Sequence, residues 1–262
     1  FFFLALFPQY LVKLPQSGGW LNSVKVTMGF LELGAAMKFI SNTDLVWQWG
    51  IFTKVIVLSF WAIIAIMISI YLIGKIRLPH DSSIDIISVP RLLVSILFAT
   101  FGIYLASGVF GQPIHGLIDS YLPQPPIELN SKSKKKASST DSLQWEYDFN
   151  QALIRAKEQK KPIFIDFTGY TCTNCQWMEK NIFVLEPIQD MFENFILVKL
   201  YTDGGPNYKE NRELEINRFN TVALPFYVIL SHDNKEIIRF HGMDPDDNKF
   251  LEFLKQGGKD YF

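Results

Sequence analysis

Apolar positions follow two different rules along this chain: up to about residue 110 they run together in long blocks, and beyond residue 143 they recur in short groups. A helix that crosses a bilayer needs roughly 20 mainly apolar residues. Three blocks answer to that requirement. Val24 to Ile40 is short and carries Lys25, Glu32 and Lys38; Ile51 to Ile73 holds Lys54 as its one charge; Val89 to Phe110 is apolar after Arg91. Phe1 to Val12 reads as a further helix whose beginning is absent, because no initiating Met and no basic leader precede it. Glu32 within a short span marks either a functional site or a packed or interfacial position.

From Leu143 onward the pattern becomes that of alternating helices and strands, which predicts an α/β domain. Helices are expected at Asp148 to Gln159, Cys172 to Ile182, Pro187 to Glu193, Tyr208 to Phe219 and Pro245 to Lys255. Strands are expected at Pro162 to Thr168, Asn194 to Tyr201, Phe226 to Leu230 and Glu236 to Phe240, the last two joined by the turn His232-Asp233-Asn234. Phe164, Phe167, Phe183, Phe192 and Phe195 belong to the expected core.

Composition separates the two halves. Residues 111–144 contain Pro113, Pro123, Pro125 and Pro126 and then a Ser/Lys run from Ser131 to Thr140, too polar to bury a core, so this stretch reads as a solvated tether. A lipid-surface role for its lysines is the weaker reading. The expected organisation is a partial, all-α membrane bundle over residues 1–110, the tether, and an α/β domain over 145–262. With a formal net charge of -1 the chain has no basic field for nucleic acid. Lys13 and Lys25 flank the first short loop and Lys75, Arg77 and Arg91 mark the third, whereas Ser41 to Gly50 has no positive residue. Positive loops stay in the cytoplasm, so the chain beyond Phe110 is expected on the opposite face.

The chemistry centres on the two cysteines of the chain, Cys172 and Cys175. At the start of a helix, one turn brings two such sulfurs together, and the free backbone N–H groups and helix dipole there favour a thiolate on the first. Cys172 is thus the expected nucleophile and Cys175, one turn in, the buried resolving thiol. Zinc needs four ligands and has only this pair, with His232 and His241 at the wrong spacing. Attached haem needs His after the second Cys, where Gln176 stands. A structural disulfide stays open, although stapling bridges usually close longer loops.

The stretch Phe164 to Cys175 is similar to the strand, turn and active-site helix of thioredoxins, with Asp166 six residues before the first Cys. Val222-Ala223-Leu224-Pro225-Phe226 resembles the cis-proline loop of that family. Together with Leu14 to Lys25, Gly29 to Leu33 and the continuation Trp177-Met178-Glu179-Lys180, these motifs resemble the C-terminal part of the thiol:disulfide interchange protein DsbD family. That resemblance implies a thioredoxin-like domain on the periplasmic side of a bacterial inner membrane, after the last of several spans. It also implies a protein-disulfide reductase that needs no bound cofactor beyond the Cys172–Cys175 disulfide. Asp166 would accept the Cys175 proton, and Glu179 would add negative potential that disfavours a thiolate. A partner would dock on Leu224, Pro225, Tyr170, Thr173 and Asn174.

The implied partners are a membrane cysteine pair and an N-terminal periplasmic domain outside this stretch, cytoplasmic thioredoxin indirectly, periplasmic disulfide proteins including those of cytochrome c biogenesis, and lipid. No cysteine occurs between residues 1 and 171, so the stretch by itself carries one station of such a relay. Two rivals remain at this point: a membrane-tethered thiol oxidase or isomerase, and a non-catalytic assembly factor that uses the thioredoxin surface for binding.

Overall fold

The structure, a computed structural model, describes residues 19–78, 81, 86–114, 116–123 and 143–261. It divides into two compact units, one within 1–39 and 55–113 and the other within 40–54 and 114–262. The helix expected at Phe1 to Val12 and most of the expected tether, 124–142, lie outside the described residues.

The first unit is helical: α1 (Gly19–Trp47, whose end from Ile40 belongs to the second unit), α2 (Lys54–Leu72) and α3 (Val89–Val109). By length and apolar composition, α2 and α3 qualify as membrane spans. α1 outruns the expected Val24 to Ile40 block at both ends and is not among the helices that qualify. Small residues let α2 and α3 approach: a Cβ on Gly102 would lie 2.8 Å from Ile66 and 3.3 Å from the Ala62 carbonyl. Polar groups add to the grip, with the buried Ser69 and Ser95 hydroxyls 2.9 Å apart, and between α1 and α2 the Trp61 indole donates to the Gly34 carbonyl. Pro90 sits in the first turn of α3, where its missing N–H leaves no helical bond unmade.

The second unit carries a five-stranded sheet ordered β1-β3-β2-β4-β5. Its strands are β1 (Trp145–Glu146), β2 (Ile163–Thr168), β3 (Ile196–Tyr201), β4 (Phe226–Leu230) and β5 (Glu236–His241). β3 runs parallel to both β1 and β2; β4 is antiparallel to β2 and β5 antiparallel to β4. Helices α5 (Phe149–Gln159), α6 (Thr173–Asn181), α7 (Glu186–Phe192), α8 (Tyr208–Phe219) and α9 (Asp247–Gly258) complete the domain. Asp148 starts α5 by accepting the Gln151 N–H at 2.9 Å, and Lys160 ends it in the left-handed region.

Every residue of β2 is buried, as an unbroken apolar run in a central strand requires. Alternation sends Phe164, Asp166 and Thr168 to one face and Ile163, Ile165 and Phe167 to the other. The first face meets α6, α7 and α9 in an aromatic core around Phe164, Phe183, Phe192, Tyr227 and Phe250. The second meets α5 and α8 through Ala152, Ala156 and Phe219. Two elements escaped the sequence reading. β1 is too short to show a period, and α4 (Leu117–Tyr121) falls inside the stretch read as tether, where Ser120 and Leu122 are fully buried.

Phe164 is wholly buried with ring centroids 5.0 Å from Phe192 and 5.8 Å from Tyr227, so it anchors the first core. Phe164→Ala should cost about 3–5 kcal/mol. Denaturant unfolding that reports on the sheet unit will show this as a lowered midpoint.

Candidate active site

β2, β3 and β4 meet in register, and that register assembles the site. Phe167 pairs with both Leu200 and Phe226, so the segment after Thr168, the segment after Tyr201 and the segment before Phe226 all leave one end of the sheet. The cysteines lie on the first, Asp203 on the second, and Leu224–Pro225 on the third.

Cys172 is the N-cap of α6 and is joined by a disulfide to Cys175, which is buried at 1% exposure. The Cys175 backbone N–H donates to the Cys172 sulfur at 3.1 Å. This is one of the free N–H groups of a helix start, a position that favours a thiolate on the sulfur it points to. Cys172 is partly exposed and Asn174 exposed. Cys172 is therefore the more accessible of the two sulfurs.

Three bonds hold the loop ahead of Cys172. The Asp203 carboxylate accepts from the Tyr170 N–H at 2.8 Å, the Thr171 N–H at 2.9 Å and the Thr171 hydroxyl at 2.8 Å. It lies so near Gly169 that a Cβ there would come within 2.7 Å of it. From the other side the buried Gln176 amide donates to the Tyr170 carbonyl at 3.0 Å. In the sequence Asp203 opens the loop Asp203-Gly204-Gly205-Pro206. A carboxylate two residues past a strand is too common a signal to single out.

Beneath α6 lies a cluster of ionisable groups on the Phe164 face of the sheet. Asp166 is completely buried, pairs across strands with Lys199 and Tyr227, and neither of its carboxyl oxygens has a hydrogen-bond partner among the described residues. Burial first, and the Glu179 carboxylate second, push the Asp166 pKa well above the ordinary range, with Lys199 opposing them. Lys199 lies 2.8 Å from Glu179 and 5.0 Å from the Trp145 ring centroid. Burial works against its ammonium, yet Glu179, Tyr201 and Asp166 more than offset this and hold its pKa above the usual value. The Tyr227 hydroxyl is also pushed up, by burial and then by the charges of Asp166 and Glu179.

The arrangement changes two expectations. Glu179 does not act as a lone negative charge, because Lys199 neutralises it and the Thr168 hydroxyl donates to its other oxygen at 3.4 Å. Tyr170, expected on the docking surface, is 6% exposed with its ring stacked on Tyr201 at 4.0 Å. The Leu224–Pro225 bond is cis; Pro225 is buried, Leu224 and Thr173 are partly exposed, and Val222 is 60% exposed. Among the described residues no three His, Cys, Asp or Glu side chains are grouped to hold a metal.

Residues 144–231 match the family model described as thioredoxin-like. The sheet unit is a thioredoxin-like domain. Over 229 residues, 86% of the chain, the sequence is 26% identical to the thiol:disulfide interchange protein DsbD of Campylobacter jejuni (strain RM1221), of which it covers 35%. A DsbD of Pseudoalteromonas atlantica is 24% identical over 231 residues, 86% of this chain and 33% of that protein. The chain thus resembles the C-terminal part of DsbD and spans about a third of the length of these curated relatives. Among solved structures, a DsbH oxidoreductase aligns with 50% of this chain and 98% of its own at 21% identity and a TM-score of 0.39.

The raised Asp166 pKa fixes a sign. In the window above about 4, the unfolded carboxyl has lost its proton while the folded one keeps it, so the folded state binds more protons. Stability is complete below that value and falls as pH rises toward the folded pKa. Asp166→Asn removes the titration, and its pH–stability profile should be flatter than that of the parent as pH rises above about 4; parallel profiles would contradict the burial argument. Asp203→Asn puts an amide donor where an acceptor is needed, so hydrogen exchange at the Tyr170 and Thr171 amides should accelerate by about tenfold or more, since roughly 1.4 kcal/mol is a factor of ten.

Proposed function

We propose that this chain performs thiol–disulfide exchange as a membrane-anchored protein-disulfide reductase. One observation carries the reading: the disulfide joins a partly exposed cysteine at a helix N-terminus to a fully buried one, over an ionisable cluster that can hold a proton.

In the reduced state the Cys172 thiolate attacks one sulfur of a partner disulfide. A mixed disulfide forms and the partner's other sulfur leaves as thiolate. Cys175 then attacks Cys172, the intermolecular bond breaks, and the partner departs with two thiols. The Cys175 proton must go to a neighbour as its sulfur becomes nucleophilic; Asp166 is assigned to take it in its ionised form, which the raised pKa makes a strong base, so it must first give up its own proton. Two electrons have moved to the partner, and the Cys172–Cys175 disulfide is left. A second dithiol, outside this chain, has to reduce it again. By analogy with the DsbD relatives this would be a cysteine pair in membrane helices, supplied by cytoplasmic thioredoxin. The recipients would be periplasmic disulfide proteins, reached first through an N-terminal domain. An extended segment of the partner would pair beside Leu224 and Pro225, with Thr173 and Asn174 at the rim.

The charge of the short loops and the two apolar helices support a multi-pass arrangement with the thioredoxin-like domain on the periplasmic face. Labelling of single introduced cysteines with a membrane-impermeant maleimide in a cysteine-free background tests this.

Cys175→Ser should trap a mixed disulfide with the partner that Cys172→Ser does not form, and both variants should lose turnover. A full complement of activity in Cys172→Ser would overturn the exchange reading. The direction is read from the reduction potential: a value near the roughly -120 mV of a strong oxidant would support an oxidase instead, each 30 mV being about 1.4 kcal/mol for two electrons.

A further inference from the structure

The sheet unit includes more than the thioredoxin-like domain. Residues 40–54, which run from the end of α1 to the first residue of α2, are folded with it, as is α4. The turn is shaped by Asp44, which is buried and accepts the backbone N–H groups of Ile51 and Phe52, each at 3.1 Å.

This turn lies on the loop that holds the nucleophile. A Cβ on Gly204 would be 3.1 Å from the Val46 Cα and 3.2 Å from its carbonyl oxygen, so the two backbones are in contact. At Gly205, with φ +78°, a Cβ would meet the Tyr170 hydroxyl at 2.8 Å and the Gln48 amide nitrogen at 2.9 Å. Gln48 hydrogen-bonds that hydroxyl, two residues before Cys172. Farther along the cysteine helix, Lys180 is 2.8 Å from the carboxylate of Asp119 in α4, whose other oxygen is 2.7 Å from Lys54. One carboxylate therefore joins the helix that starts at Cys172 to the first residue of a candidate membrane span.

We propose that Asp119 is the latch of a docked state in which the chain's own turn, Val46 to Gln48, covers the Tyr170 side of the dithiol site. The opposite side is uncovered: Val222 is 60% exposed and Ala223 is exposed, next to the cis Leu224–Pro225 bond. A partner can therefore approach from the proline side while the latch is closed, and the Tyr170 side becomes accessible when it opens. Burial favours the neutral form of Asp119, but hydrogen bonds from Lys180 and Lys54 hold its pKa below the ordinary value, so the carboxylate stays ionised. Ion pairs that keep part of their solvent contact are screened by salt, which suits a contact that must open again. The proposal deepens the exchange reading, because it concerns access to the same dithiol.

The test reads docking and not turnover. Backbone hydrogen exchange is followed on the full chain in lipid nanodiscs, for the parent, Asp119→Asn and Asp119→Lys. In Asp119→Lys, residues 44–52 and 117–121 should exchange faster by about tenfold or more, with Asp119→Asn between it and the parent, while β2 and β4 keep their protection. The parent should show the same regional loss on going to about 1 M salt, where the Debye length falls to about 3 Å. Unchanged protection of 44–52 in Asp119→Lys overturns the latch. Equal loss in β2 and β4 also overturns it, by showing that Asp119 merely supports the fold. A chain inactive in disulfide reduction that still showed the regional response would sink the exchange reading and leave the latch standing.

Discussion

The register of β2 between β3 and β4 is the constraint on which this site depends. A slip of one residue in β2 would turn Asp166 away from the α6 face and bring Phe167 and Ile165 onto it. It would also break the match of Phe167 with Leu200 and Phe226, by which the cysteine, Asp203 and proline segments share one end of the sheet. The register is held because both faces of β2 are buried. The aromatic core around Phe164 and the smaller-residue core around Ala152 and Ala156 do not accept each other's side chains.

Inside that frame the electrostatics are set by compensation. A carboxylate, a second carboxyl, an ammonium and two phenols gather on one face of the sheet: Glu179, Asp166, Lys199, Tyr201 and Tyr227. One ion pair, Lys199 with Glu179, is satisfied at 2.8 Å, and it leaves Asp166 as the group that can avoid charge by keeping its proton. Reading Glu179 from its helical spacing alone placed an isolated negative potential near Cys175. With Lys199 in place the effect of Glu179 is transmitted through Asp166, whose proton it helps to retain.

The sequence showed the fold where a signal was repeated, and missed it where the signal was a single contact. The long α5 and α8, the apolar β2 and β4 and the Cys172–Cys175 helix all follow from period and capping, and their ends shift by a residue or two. β1 and α4 have too few residues for any period. Asp166 stood out as a charge in an apolar strand, and Lys199 stands in the same situation in β3. Its significance lay in pairing with Asp166, and pairing of strands far apart in the chain is not written in either strand. Asp203, Gln48 and Asp119 act through tertiary contacts 32–33, 122 and 61 residues away in the chain, with Thr171 and Tyr170, Tyr170 and Lys180 respectively. Local pattern carries no information at such separations.

The two sides of the dithiol differ in a way that follows from chain connectivity. Leu224 and Pro225 belong to a loop between α8 and β4 in which Pro225 is buried, Leu224 is partly exposed, and Val222 and Ala223 are exposed. The Tyr170 side is bordered by the Asp203 loop, and its two glycines, Gly204 and Gly205, remove the side chains that would hold another backbone off. A surface stripped of Cβ atoms accepts close main-chain contact, and here Val46 makes it. For the proposed exchange, in which the dithiol is reduced by one partner and oxidised by another, such asymmetry is useful. Two approach routes that differ in chemistry, one offering an extended backbone beside a proline and the other a glycine seat with an ion pair behind it, allow successive partners to be told apart at a single exposed sulfur.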